Sequence, residues 1–114
     1  MFHLATEPHE RGVIIRLSGR IDAASAALLE TKIGELMADG SPLLLLDMAQ
    51  VDYLSSAGMR VLLSATKKLK GTEGGLRCYS LRKNVMEIIR MAGFERILSL
   101  YPTEQEALHN TPGS

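Results

Sequence analysis

Residues 51–63 read VDYLSSAGMRVLL, and the rest of the chain is best understood from this stretch outwards. An apolar run starting at Leu43 leads into it and predicts a strand, while a helical pattern leads out of it to about Lys70. Two serines, Ser55 and Ser56, stand where that helix should begin. A helix start has unpaired N–H groups and a partial positive charge, which suit either a capping hydroxyl or a phosphate. Spacing alone leaves a structural cap and a phosphorylation switch both open.

The composition is typical of one globular domain. Of the 114 residues, 46% are hydrophobic and 23% are charged. The 13 basic and 13 acidic residues balance to a net charge of zero, whereas nucleic-acid-binding proteins normally carry a basic excess. We therefore expect no direct contact with nucleic acid.

Location is predicted from what the sequence lacks. No apolar run approaches the roughly 18 residues of a membrane span, and the N-terminus lacks the pattern of a signal peptide. The single cysteine, Cys78, fits a reducing compartment. These features predict a cytoplasmic protein without membrane association.

The first half of the chain predicts two strands and a helix. Residues 2–7 and 13–18 have strand patterns separated by a turn, and Gly19 is expected to end the second strand. A helix is expected over residues 23–39, stopped by the Gly-Ser-Pro sequence at 40–42. Its apolar stripe consists of Leu29, Ile33, Leu36 and Met37.

The middle of the chain predicts a buried strand, a second helix and a turn. Residues 43–46 form an unbroken apolar run, which is typical of a central strand covered on both faces. In the helix after the serines, Met59 lies off the apolar stripe, which consists of Val61, Leu62, Ala65 and Leu69. The glycine-rich segment 71–75 lacks the Lys-Ser/Thr of a phosphate-binding loop and is interpreted as a turn before a strand over 76–79.

The C-terminal part predicts a third helix, a short strand and a last helix. Ser80 is expected to cap the third helix and Gly93 to end it. Its apolar stripe consists of Val85, Ile88, Ile89 and Ala92. Residues 97–100 predict a strand, and residues 103–106 have the capping-box spacing that opens a helix through Leu108.

Strands that alternate with helices predict an α/β domain. The first hairpin should supply an antiparallel N-terminal edge to a mixed sheet that carries about four helices. The domain is expected to span residues 1–109, with a flexible C-terminal tail at 110–114.

The sequence gives little support to a metal or cofactor site. His3, His9 and His109 are scattered, and Cys78 has no partner at ligand spacing. We therefore expect no metal and no cofactor.

An enzyme is also weakly supported. The serines lack the Gly-x-Ser-x-Gly context and the nearby base of a hydrolase. Asp22 and Asp47 stand at strand ends, where a carboxylate is commonly a cap or turn former. A small enzyme with Asp22 and Ser56 in a cleft remains an alternative, and from spacing alone a capping serine beside a bystander is favoured.

Three motifs together resemble a known family. Three segments resemble those of the STAS-domain anti-sigma-factor antagonists: residues 51–59, the sequence LSGRID at 17–22, and residues 86–98 with the sequence MAGF at 91–94. These are the anti-anti-sigma proteins of bacterial partner-switching systems. The likeness covers nearly the whole chain, with the motifs in the family's order.

The resemblance implies a regulatory protein and not an enzyme. In that family the unphosphorylated antagonist binds a serine kinase that doubles as the anti-sigma factor, which frees the sigma factor. The kinase has a fold like that of histidine-kinase ATPase domains. Phosphorylation of the antagonist abolishes binding, and a PP2C-type phosphatase reverses it. The resemblance thus implies both proteins as partners, and a monomer is the simplest expectation for the free chain.

The family's phosphoacceptor falls on Ser56, with Ser55 as the second choice. Asp22 matches the family's acidic residue on the neighbouring loop and is expected beside Ser56, where it would orient the hydroxyl or contribute to kinase docking. The chain departs from the common Asp-Ser-[Ser/Thr]-Gly motif, since Ser55 replaces the Asp and Ala57 replaces the second Ser or Thr. The implied partner-binding residues are Asp22, Ser55, Ser56, Gly58 and Met59.

The charge of a phosphate suggests how such a switch would work. A phosphate adds about −1.5 to −2 charges. The fold is expected to tolerate it through free N–H groups of Gly58 and Met59, whereas a partner interface would bury it uncompensated. The Met59 side chain is either an apolar contact for the kinase or ordinary packing. Within the same fold, the alternative function is a scaffold subunit of a stressosome or of a lipid-transport complex.

Overall fold

The computed structural model describes residues 1–40, 43–70 and 75–109. Within these ranges, one sheet has the order β1-β2-β3-β4-β5, and its strands are β1 (Phe2–His9), β2 (Gly12–Ile21), β3 (Leu43–Leu54), β4 (Gly75–Tyr79) and β5 (Ser99–Tyr101). The four helices in the same ranges are α1 (Ala23–Ala38), α2 (Ser56–Leu69), α3 (Lys83–Met91) and α4 (Glu104–His109). The predicted tail at 110–114 and most of the predicted turn at 71–75 lie outside the described residues.

The sheet is mixed, as predicted. Strand β1 pairs antiparallel with β2, and all other neighbours in the sheet are parallel. The parallel strands are joined through α1, α2 and α3 in turn. Because parallel strands point the same way, their carboxyl ends and the starts of these helices gather at one edge of the sheet.

Both faces of the sheet are covered. Helices α1, α2 and α3 pack on one face and form the main core, to which Leu44 and Leu46 contribute. Leu43 and Leu45 point to the opposite face and form a second cluster with residues that include Ala107 of α4. Successive side chains of a strand alternate between faces. The prediction that residues 43–46 are buried on both sides is therefore confirmed.

Strands β2 and β3 run further than predicted. Gly19 does not end β2: it has a φ of +95° within the strand, which continues to Ile21. Strand β3 continues through Asp47 to Leu54, whereas Asp47 had been expected at the end of the strand. The register between β2 and β3 shifts twice. The buried residues of this extension therefore lie three positions apart instead of two, and the sequence does not show the alternation of a strand. These residues are Met48, Val51 and Leu54.

The start of α3 corrects another prediction. Ser80 does not cap this helix, which begins at Lys83 after the N-cap residue Arg82. Ser80 instead has a φ of +58°, and its N–H donates to the Tyr101 carbonyl oxygen at 3.2 Å. It therefore turns the chain at the end of β4.

The end of α3 agrees with the sequence. Gly93 has a φ of +82°, as the residue after a helix C-cap commonly does. Its N–H donates to the Arg90 carbonyl and that of Phe94 to the Ile89 carbonyl, which is the Schellman arrangement. Ala92, predicted on the apolar stripe, is the exposed C-cap.

Candidate functional site

Strands β2 and β3 end side by side. Ile21 and Leu54 are register partners, and the N–H of Ser55 donates to the Ile21 carbonyl oxygen at 2.9 Å. The next residue after each strand is a helix cap, Asp22 for α1 and Ser55 for α2. Two helix N-termini therefore start from one corner of the sheet, and this corner holds the residues that the sequence predicted as a site.

The two serines have different roles in the fold. Ser55 is the N-cap of α2, since its Oγ accepts from the Gly58 N–H at 3.1 Å, and it is half-buried. Ser56 is the first residue of the helix and is exposed. Among the described residues, the Ser56 hydroxyl has no hydrogen-bond partner. One serine is thus the cap, as the spacing alone favoured, and the other presents a free hydroxyl.

Gly58 lets the first turn of α2 lie close to the strand ends. A Cβ at this position would lie 2.6 Å from Cγ2 of Ile21 and 2.7 Å from Cδ1 of Leu54. Any side chain here would require these methyl groups or the helix to shift. Gly58 therefore allows the start of α2, with Ser55 and Ser56, to lie against the strand ends.

Met59 corrects two predictions. The prediction that it lies off the core is wrong, because it is 5% exposed and packs in the main core. The predicted free N–H groups are also engaged: that of Met59 donates to the Ser55 carbonyl at 2.9 Å, and that of Gly58 to the Ser55 hydroxyl. Among the described residues, the first-turn N–H groups without a partner are those of Ser56 and Ala57.

Asp22 is bonded within its own helix. Its Oδ1 accepts from the N–H of Ser25 at 3.0 Å and from the Ser25 hydroxyl at 2.9 Å, while its own N–H donates to Ser25 Oγ at 2.8 Å. The bonds from Ser25 lower the pKa of Asp22. No hydrogen bond joins Asp22 to Ser56 within the described structure, so the expected orienting contact is not present. Ser25 was not anticipated, although the Asp-x-x-Ser spacing is its sequence signal.

Two arginines lie near the corner. The Arg20 guanidinium lies 4.2 Å from the centroid of the Tyr53 ring, its register partner on β3. Arg60 is exposed one turn after Ser56, at the i+4 position that faces it on a helix. Neither arginine was predicted at this site, because strand register and helix phase bring them here.

The corner is suited to modification and binding. An exposed hydroxyl at a helix start next to arginines would accommodate an added phosphate.

Within the described ranges there is no group of three or more His, Cys, Asp or Glu residues that could hold a metal ion. None of the described helices combines the length and apolar character needed to cross a membrane.

The Asp22 cap gives a prediction that combines mutation and pH. Asp22→Ala should lower the thermal midpoint of unfolding at neutral pH, because the first N–H groups of α1 lose their acceptor. The pKa of Asp22 is below its ordinary value of 3.8. The carboxylate therefore stabilises the fold fully above pH 3.8, and this stabilisation is lost as the pH falls through the lowered pKa. The difference in thermal midpoint between wild type and Asp22→Ala should therefore become smaller at acid pH. Thermal melts over a range of pH values would measure it.

Asp22→Asn is the matched control, since asparagine caps helices but does not titrate. Its thermal midpoint at neutral pH should be close to that of wild type. Equal midpoints for wild type and Asp22→Ala at neutral pH would contradict a stabilising cap.

The chain is similar to proteins of a known family. The family model described as the STAS domain matches residues 3–107. BtrV of Bordetella bronchiseptica, which carries the name of an anti-sigma factor antagonist, is 34% identical over 79% of this chain and 75% of its own length. The anti-sigma-F factor antagonist RsfB of Mycobacterium tuberculosis is 28% identical over 92% of this chain and 85% of its own.

A solved structure is similar over almost the whole fold. The crystal structure of an anti-sigma factor antagonist from Mycobacterium paratuberculosis has a TM-score of 0.82 and 32% identity, and covers 95% of this chain and 92% of that one.

Proposed function

Because this chain belongs to the STAS-domain family, we propose that it is an anti-sigma-factor antagonist of a partner-switching system. Its unphosphorylated form binds a serine kinase that is also the anti-sigma factor, with a histidine-kinase-like ATPase fold, and so releases the sigma factor. The kinase phosphorylates Ser56, and this ends the binding. A PP2C-type phosphatase restores the active form. The chain acts by binding and is not itself an enzyme.

The observation that carries this proposal is the difference between the two serines. A kinase needs a hydroxyl that solvent and a second protein can reach, and Ser56 is exposed with a free hydroxyl. The Ser55 hydroxyl is half-buried and holds the start of α2. Phosphorylation of Ser55 would cost the helix its cap, whereas phosphorylation of Ser56 leaves that hydrogen bond intact.

The charge of the phosphate explains the switch. The free N–H groups of Ser56 and Ala57 and the nearby Arg60 favour a negative group on the antagonist itself. A partner that covers Ser56 would bury about −1.5 to −2 charges without compensation. The phosphate therefore disrupts the complex while leaving the fold stable. In this proposal Asp22 contributes to kinase docking with its exposed carboxylate edge, while Ser25 holds its orientation.

The test is a comparison of affinities for the anti-sigma-factor kinase from the same genome. Isothermal titration would measure the dissociation constants of wild type, of the protein phosphorylated on Ser56 and of Ser56→Asp. Both charged forms should bind at least about tenfold more weakly, which corresponds to about 1.4 kcal/mol. Ser56→Asn matches aspartate in size without its charge and should bind nearly as wild type does.

Two outcomes would change the interpretation. If Ser56→Asp bound as tightly as wild type, the charge mechanism would be wrong. Constitutive binding to a larger assembly, indifferent to phosphorylation, would favour a scaffold subunit of a stressosome or of a lipid-transport complex instead.

A further inference from the structure

The sheet face opposite α1, α2 and α3 carries a row of polar side chains. Arg16, Asp47 and Tyr79 are register neighbours on β2, β3 and β4. Arg16 bonds to Asp47 at 2.7 Å, to Glu104 at 2.8 Å and to Glu7 at 2.7 Å. The Tyr79 hydroxyl donates to the same oxygen of Glu104 at 2.5 Å. Since Glu104 is the first residue of α4, this row holds the N-terminus of that helix to the sheet.

Two more arginines hold the other end of α4. Arg77, which is 5% exposed, donates to the Ala107 carbonyl oxygen, and Arg11 donates to the Leu108 carbonyl oxygen. The last carbonyl groups of a helix have no partner within it. The guanidinium groups therefore replace the hydrogen bonds that the C-terminus of α4 lacks.

The apolar contact of α4 is small by comparison. It contributes buried Ala107 and half-buried Leu108 to the second cluster, whose other buried members are Ile14, Leu43, Leu45 and Tyr79. Helix α2, in contrast, buries a full stripe in the main core, formed by Met59, Val61, Leu62, Ala65 and Leu69. A helix of 6 residues is also too short to be stable in isolation. Polar bonds at the two ends of α4 are thus a large part of what keeps it in place.

We propose that α4 is a strap that opens as a unit while the rest of the fold stays closed. Opening breaks the hydrogen bonds of the Glu104 carboxylate and those of the Ala107 and Leu108 carbonyl groups. It also uncovers the apolar face around Leu45. The main core lies on the other side of the sheet and is not disturbed. Segments with few buried apolar contacts open at a smaller free-energy cost than global unfolding. An open strap therefore exposes residues of the second cluster on the face away from α2.

Neighbouring leucines on β3 supply a matched test. Leu45 belongs to the second cluster, together with Ala107 of the strap, and Leu44 belongs to the main core; both are 0% exposed. Leu45→Cys and Leu44→Cys would each be made in a Cys78→Ala background and labelled with a thiol reagent under native conditions. If the strap opens by itself, Leu45→Cys should react at least tenfold faster than Leu44→Cys, after correction for each variant's unfolding free energy. Equal corrected rates would overturn the proposal.

The contribution of Glu104 to holding the strap can be tested by substitution. Glu104→Gln keeps the size of the side chain and removes the charge that pairs with Arg16. It should raise the labelling rate of Leu45→Cys about tenfold and leave that of Leu44→Cys nearly unchanged. Glu87→Gln, at an exposed position on α3, is the control and should change neither rate. An equal increase at both cysteines would show that Glu104 stabilises the whole fold and not the strap.

Amide hydrogen exchange on the unmodified chain provides an independent measurement, because it needs no core substitution. The amides of Ala107 and Leu108 should show protection factors at least tenfold below those of residues 44–46. The same protection in both groups would mean that α4 opens only with global unfolding, and the proposal would fail.

Discussion

Ser56→Ala should take up no phosphate from the anti-sigma-factor kinase and Mg-ATP, while wild type takes up one. The physical reason is access, since Ser56 presents an exposed, unbonded hydroxyl at the first position of α2. The hydroxyl of Ser55 is occupied as the cap of that helix. Intact-protein mass spectrometry after incubation would count the phosphate groups, and fragmentation would assign the residue.

The control must remove the Ser55 hydroxyl without removing the cap. Ser55→Ala would cost stability, by about 0.5–2 kcal/mol for a lost N-cap, and so confuse access with unfolding. Ser55→Asn keeps a capping side chain and should be phosphorylated as wild type is. Phosphate retained by Ser56→Ala and lost in Ser55→Asn would move the acceptor to Ser55.

Met59→Ala should lower the free energy of unfolding by about 2–5 kcal/mol, the usual cost of truncating a buried methionine. Met59 is 5% exposed and packs in the main core under the start of α2. The cavity left by alanine would also loosen the turn that carries the two serines. Urea denaturation followed by circular dichroism would measure the change.

Met91→Ala is the matched control for Met59→Ala. It makes the same chemical change in a helix, but Met91 is 88% exposed at the end of α3. Substitutions at such positions usually stay within about 0.5 kcal/mol. If Met59→Ala were equally mild and instead weakened kinase binding, the Met59 side chain would contact the partner, as the sequence alone had allowed.

Local sequence signals predicted most of the fold. Gly93 ends α3 because a residue without a Cβ tolerates its positive φ, and this requirement can be read from the sequence. The unbroken leucines at 43–46 required burial on both faces, which the structure confirms. The mixed sheet with its antiparallel edge followed from the hairpin and the alternation of elements.

Prediction from the sequence failed where pairing with distant residues overrode a local pattern. The strand was expected to end near Asp47 because two register shifts remove the alternation from the rest of β3. Ser80 looked like a cap, but its N–H pairs with Tyr101, a residue 21 positions later that no local pattern connects to it.

The sequence by itself determined the elements, the family resemblance and the pair of serines at a helix start, because each depends on neighbouring residues. The tertiary structure decided which serine is available: the Ser55 hydroxyl accepts from the Gly58 N–H, while Ser56 is exposed on the start of α2. It also turned Met59 inward and gathered Arg16, Asp47, Tyr79 and Glu104 around α4. Such groupings depend on strand register and helix phase across distant parts of the chain, and no local pattern specifies them.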